Sequence, residues 1–176
     1  MLGELWIWGS DDGDDGVALL ADGLRRGRLP SLWRLALSAQ IGPQGATALA
    51  PALTKRALPS LETLDLSRNP LGDAGLAALL PAMRQLPKLK RLALFATNMG
   101  DEGVASLLGQ ATAGALKSLE ELFLDRNKIA DAGSASLASA LRGGALPALK
   151  RLSLEANPAS KEARDAVSAA RPGVGN

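Results

Sequence analysis

Apolar residues along the chain fall on a Leu-x-x-Leu-x-Leu frame that opens at Leu2 (with Ile7 as its third apolar residue), Leu32, Leu61, Leu89, Leu119 and Leu149. Successive openings are 30, 29, 28, 30 and 30 residues apart. A fixed period of this length marks a solenoid, in which each unit is too small to bury its own apolar face and stacked neighbours supply the core. Within a unit, the alternation Leu64-x-Leu66 has the two-residue period of a strand, and the following DAGLAALLPAMRQL carries apolar residues at helical spacing. Each unit therefore predicts a strand, a loop and a helix.

Polar and turn residues mark the element boundaries. Asp14, Asp73, Asp101 and Asp131 share one repeat position, each two residues before a glycine. There a short carboxylate is expected to cap the first amides of its helix. Pro30, Pro59, Pro87 and Pro147 each stand two residues before an opening leucine and are expected to end the preceding helix. Pro51 and Pro81 fall inside two predicted helices, which they should bend or loosen. Parallel strands lie about 4.7–4.9 Å apart whereas packed helices need roughly 10 Å, so the stack should curve with its strands on the concave face.

The repeated frame, together with the residue nine places into each unit, resembles the leucine-rich repeat of the ribonuclease-inhibitor subtype, also found in NOD-like receptors and in the Ran GTPase-activating protein. The resemblance spans about residues 2–165. It implies an α/β fold, a right-handed horseshoe solenoid with parallel strands on the concave face and helices on the convex face. Residues 1–176 would form one domain of six units, in which a short C-terminal helix and tail at 160–176 act as a cap. In that family the ninth residue is usually an asparagine whose amide bonds the loop backbone. Asn69, Asn127 and Asn157 match it, and Ser10, Gln40 and Thr97 stand there in the other units. The unit containing Gln40 loses one residue before Ile41, so a locally distorted loop is expected there.

The chain has five aromatic residues, Trp6, Trp8, Trp33, Phe95 and Phe123, and none occupies a leucine position of the frame. The fourth and sixth positions of a unit point inward, so the fifth and seventh face the concave side. That phase turns Trp6, Trp8, Phe95 and Phe123 outward and leaves Trp33 at the margin of the core. Exposed aromatics in a concave site are favoured anchors for a partner. Trp6, Trp8 and Trp33 also have another reading, as residues covered by a missing or flanking cap at the amino-terminal end; Phe95 and Phe123 lie too far along the array for that. Lys90 and Arg91, Glu120 and Glu121, and Lys150 and Arg151 follow one another across neighbouring units and should pair laterally, at about 0.2–1 kcal/mol each. Asp65, Asp125 and Glu155 at outward positions, with Arg68 and Arg126 just beyond, are freer to meet a partner. These five charged residues and the five aromatics are the candidate partner-binding set.

Composition narrows the chemistry. The chain has 47% hydrophobic and 22% charged residues, a net charge of +2, and no histidine, cysteine or tyrosine. Triad catalysis, thiolate metal sites and disulfides are excluded. No catalytic residue, cofactor or metal is expected. In the acidic run from Asp11 to Gly16, an EF-hand loop would place Gly13 at a liganding position and Asp22 where a glutamate is needed, so helix capping explains it better. Basic residues are interleaved with acidic ones, which disfavours a nucleic-acid partner. The start MLGELWIWGSDD lacks the form of a leader peptide and no segment reaches membrane-spanning length. A soluble, intracellular and cytoplasmic setting is expected.

The leading functional reading is a non-catalytic module that binds another protein through the concave strand face. The resemblance also implies a docking regulator of a GTPase, although the chain ends in RPGVGN without the acidic tail of that family. A structural segment or subunit of a larger assembly is the third reading. The first strand begins directly after Met1, so its free edge, with Leu5 and Ile7, is expected to self-associate or to be covered by an upstream segment.

Overall fold

The fourth-position leucine of each unit sets the register of the whole sheet. Leu5, Leu35, Leu64, Leu92, Leu122 and Leu152 lie side by side on six parallel strands that follow one another in chain order in one open sheet. The computed structural model describes residues 2–9, 13–27 and 29–175. Ser10, Asp11, Asp12 and Asn176, which enter the loop, capping and tail readings, lie outside the described residues. The strands are β1 (Glu4–Trp8), β2 (Arg34–Ser38), β3 (Thr63–Asp65), β4 (Arg91–Ala93), β5 (Glu121–Phe123) and β6 (Arg151–Ser153). The helices are α1 (Gly13–Arg25), α2 (Pro43–Leu49), α3 (Gly72–Met83), α4 (Asp101–Thr112), α5 (Asp131–Arg142) and α6 (Lys161–Ala170), each packed on the next.

From the second unit onward the first, fourth and sixth leucines are buried between sheet and helices, in one continuous core. A fully buried leucine contributes about 1.5–3 kcal/mol, so this frame is the main driving force for stacking. The first unit differs: Leu2 is exposed, and Leu5 and Ile7 are only partly buried where their β2 neighbours Leu35 and Leu37 are fully covered. Pro51 acts as expected, because α2 stops at Leu49 and passes into a 3-10 turn at Ala50–Ala52. Pro81 does not break its helix. It lies exposed within α3, which runs on to Met83 and forgoes one hydrogen bond on the solvent side.

The capping aspartates work across units rather than within them. Asp14 Oδ1 accepts from Gly42 N at the start of α2, Asp73 Oδ1 from Gly100 N and Gly103 N at the start of α4, and Asp101 Oδ1 from Ala130 N before α5. Asp131 Oδ1 accepts from Ser160 N before α6. Each aspartate thus satisfies orphan amides of the following helix, and the glycine two residues on makes room for the carboxylate of the preceding unit. A Cβ on Gly45, Gly103 or Gly133 would come within 2.3, 2.5 or 2.3 Å of that carboxylate oxygen. In the last unit Ala163 replaces this glycine, and Ser160 Oγ caps α6 locally by accepting from Ala163 N. In the second unit Pro43 holds the aspartate's place, so the start of α3 takes no carboxylate, and Gly72 N bonds Thr97 O instead.

Asparagines bridge in the opposite direction. Asn127 Oδ1 accepts from Thr97 N and Met99 N of the unit before, while its Nδ2 donates to Leu94 O and Leu124 O. Asn69 and Asn157 repeat the pattern towards the second and fifth units. Arg68 and Arg126, in left-handed conformation at φ 62° and 52°, turn the backbone into this position. The distorted loop of the second unit differs from expectation in one respect. Ala39, not Gln40, takes the asparagine's place; it is buried and its N–H donates to Asn69, while Gln40 is exposed at φ 55°. The missing residue is the equivalent of Arg68, which brings the loop directly off the end of β2.

At the carboxyl end, Gly175 pairs in parallel with Arg151, Val174 packs on the core, and the Arg171 guanidinium donates to the carbonyls of Ala145, Leu146 and Pro147.

The interlocked aspartate and glycine give a direct expectation. Gly133→Ala should destabilise the chain despite the roughly 1 kcal/mol helix-propensity gain of alanine, because its Cβ collides with Asp101. In an Asp101→Ala background the same change should cost less, the contact with Ile129 Cγ2 at 3.0 Å being the one that remains. Chemical denaturation of the four chains of this cycle should return a coupling of more than about 1 kcal/mol.

Candidate functional site

Strand residues at the third, fifth and seventh positions of a unit project from the sheet face opposite the helices. The fifth-position row, in register, reads Trp6, Ala36, Asp65, Ala93, Phe123 and Ser153. Two residues further along each unit lie Trp8, Ser38, Ser67, Phe95, Asp125 and Glu155. The outward phase expected for four aromatics matches their burial: Trp6 is 42% and Trp8 67% exposed, whereas Phe95 and Phe123 are half-buried. Trp33, 40% exposed, lies edge-on against Gly3, where a Cβ would come 2.9 Å from its Nε1.

Arginines attend three of the four outward aromatics, a feature the sequence reading did not anticipate. The Arg34 guanidinium lies 3.8 Å from the Trp6 ring centroid and Arg91 lies 4.4 Å from that of Phe123. Arg68 and Arg126 flank Phe95 at 5.6 Å each. The first two pairs share a geometry, with an arginine at the third position beside an aromatic at the fifth position of the adjoining strand. Its signal in the sequence is therefore lateral and appears only when the units are aligned. Trp6 packs edge-on to Trp8 at 5.1 Å between centroids, and its Nε1 donates to Glu4. Phe95 and Phe123 are diagonal neighbours, because Phe123 is in register with Ala93, two residues before Phe95.

The acidic candidates separate into two kinds. Asp65 Oδ1 accepts from Ser67 N, and Asp125 Oδ1 accepts from Glu155 N and the Ser153 hydroxyl. Asp65 therefore holds local backbone and Asp125 that of the next unit, and both are less free than their outward phase suggests. Glu155 is exposed, as are Arg68 and Arg126. No carboxylate among the described residues forms an ion pair with Arg68 or Arg126.

Lateral charge pairing is present with one difference from expectation. Arg91 meets Glu121 at 2.6 Å, Lys150 meets Glu120 at 2.7 Å and Arg151 meets Glu121 at 3.8 Å, but Lys90 bonds Glu62 on its other side at 2.9 Å. The bond to Glu62 holds the Lys90 ammonium above the ordinary lysine range, and the Lys150 bond holds the Glu120 carboxyl below the usual value of 4.5. These pairs are largely solvated and set lateral register more than stability.

The smallest residues of the face open a groove. Ala36 and Ser38 form its floor, Trp8 one wall, and Asp65, Ser67 and Arg68 the other, enclosing about 470 Å³. It exists because the fifth and seventh positions of the β2 unit carry only Ala36 and Ser38 and the unit lacks the residue equivalent to Arg68. Among the described residues no cluster of three or more acidic, histidine or cysteine side chains could hold a metal, and no helix is long and apolar enough to cross a membrane.

Residues 57–80 and 85–108, which contain β3 with α3 through Leu80 and β4 with α4 through Leu108, match the Leucine Rich repeat family model. The fold is a leucine-rich-repeat solenoid. The chain is also similar to a protein of Bacteroides fragilis of known crystal structure, at 16% identity and a TM-score of 0.44. That match covers 99% of this chain and 65% of the other, so this chain spans just under two thirds of that protein's length.

The charge ladder sets a pH dependence. A depressed Glu120 value in the folded state means its stabilisation is present at neutral pH and is lost as pH falls through that value. The gap in melting temperature between the parent and Glu120→Gln should therefore be present at pH 7 and close below the usual glutamate value of 4.5, as thermal denaturation over a pH series will show.

Proposed function

We propose that the sheet face opposite the helices binds a partner protein, and that the chain is a non-catalytic interaction module of the cell interior. Leucine-rich repeats in general mediate protein–protein interaction. The observation that carries the reading here is Trp8, 67% exposed on the face that also bears Trp6, Phe95 and Phe123, where a large amphipathic ring contacts solvent beside an open groove. Trp6, Trp33, Phe95 and Phe123 extend the anchor surface, with Asp65, Arg68, Asp125, Arg126 and Glu155 as its polar frame. The short helix and tail at 160–176, of which Asn176 lies outside the described residues, are proposed to cap the carboxyl end of the array.

Phe95→Ala or Phe123→Ala should each cost more than about 1 kcal/mol of partner binding while costing less stability than the roughly 3–5 kcal/mol of a core aromatic. Calorimetric titration and denaturation of the same variants measure both quantities; a large stability loss with intact binding would defeat the reading. Six strands span five gaps of about 4.8 Å, or roughly 24 Å, so a complex confined to this face is smaller than a standard interface, and micromolar affinity is expected.

One observation favours a second contact. Among the described residues no strand pairs with the outer edge of β1, and Leu2, Leu5 and Ile7 are incompletely covered. An open edge with apolar flanks promotes association. Light scattering over a concentration series should show the parent chain self-associating and Ile7→Lys remaining monomeric; a monomeric parent whose first-strand amides resist exchange would exclude this contact.

A further inference from the structure

Several charges on the sheet face are compensated by neighbouring side chains. Arg91 and Arg151 share Glu121, and Lys90 and Lys150 have Glu62 and Glu120. Among the described residues Arg68 and Arg126, like Arg34 over Trp6, have an aromatic ring and no carboxylate partner. They occupy the eighth positions of the third and fifth units, one on each side of Phe95, and strand spacing puts their backbones roughly 10 Å apart. Ala96, between them at the same position of the fourth unit, is too small to cover the ring. Asp65 and Asp125 each hold backbone amides through Oδ1, and the exposed Glu155 forms no ion pair with either arginine among the described residues. A guanidinium attracted to an aromatic ring keeps planar N–H groups able to fork onto a carboxylate. Arg68 is also a wall of the groove that faces Trp8.

Resting on the reading that this face binds a protein, we propose that the partner places an acidic side chain between Arg68 and Arg126, over Phe95, and a bulky apolar side chain in the groove beside Trp8. The groove centres on β2 and the clamp on the fourth unit. Two strand spacings, about 10 Å, therefore separate the two side chains, or roughly three residues of an extended segment. Charge complementarity selects a carboxylate at the clamp, and the apolar floor of Ala36 with the Trp8 ring selects an aliphatic or aromatic group in the groove. A nucleic-acid backbone fits less well, because a run of phosphates on this face would also meet Glu4, Glu121, Asp125 and Glu155.

The test pans the full chain against a display library of short random peptides, with circular dichroism checking the fold of every variant. Enriched peptides should pair Asp or Glu with a bulky apolar residue about three positions away. Arg68→Glu combined with Arg126→Glu should weaken them at least about tenfold and should itself enrich peptides carrying Lys or Arg at the acidic position. Trp8→Ala should relax the apolar preference alone. Peptides that depend on Phe123 but carry no acid, or that bind the charge-reversed chain unchanged, overturn the clamp and leave the binding face intact. Peptides indifferent to Trp6→Ala, Phe95→Ala and Phe123→Ala together lie off the face and defeat the underlying reading, as does a selection with no enrichment. A fluorescent single-stranded oligonucleotide that binds the parent but not the charge-reversed chain, without acidic enrichment among peptides, assigns the clamp to phosphate and overturns the proposal.

Discussion

Each unit of this array leaves polar backbone groups that it cannot satisfy alone, and the rest of the structure depends on neighbours satisfying them. Asparagines reach back to the loop of the preceding unit, and aspartates reach forward to the helix start of the following one. Leucine packing supplies most of the free energy, but packing is non-directional and tolerates sliding. Carboxylate and amide contacts of defined geometry add direction, because a buried amide without a partner costs about 1–3 kcal/mol. The outward rows of the sheet inherit their alignment from this arrangement, which is how Arg68, Phe95 and Arg126, from three units, come to share one place.

Much of the fold is legible in the sequence because the leucine frame recurs six times in phase. The alternation around Leu64 and Leu66 settles which strand residues face inward, and the outward direction of Trp6, Trp8, Phe95 and Phe123 follows without further information. The direction of the aspartate bond was not legible. A carboxylate two residues before a glycine at a helix start looks the same whether it serves its own helix or the next, and the glycine's role as a receptor for the neighbour's carboxylate is a through-space fact. Gln40 shows a related limit. When a loop loses one residue, counting assigns the asparagine's place to the wrong neighbour, and only the bond from Ala39 N to Asn69 resolves it.

The candidate site was half legible for the same reason. Side-chain phase is a property of one strand and can be read along the chain, so the aromatics were found. Pairing is a property of two strands. The arginines over Trp6 and Phe123 lie on adjoining units, and the engagement of Asp65 and Asp125 with backbone amides depends on loop conformation that no periodicity encodes. The groove likewise arises from what is small or missing in β2.

The aspartate at the helix start and the asparagine in the loop are not evenly distributed along the array. Among the described residues, the junctions between the fourth and fifth and the fifth and sixth units carry both bonds. The first three junctions carry one each: Asp14 alone, then Asn69 alone where Pro43 replaces the aspartate, then Asp73 alone where Thr97 replaces the asparagine. In a quasi-one-dimensional array, junction energies decide where cooperativity ends. The carboxyl-terminal units form the anchored trunk, and the amino-terminal units, held by single ties, form a compliant tip. Heat or pulling force would peel the molecule from that tip inward, opening the Trp8 groove well before disturbing the ring between the two arginines.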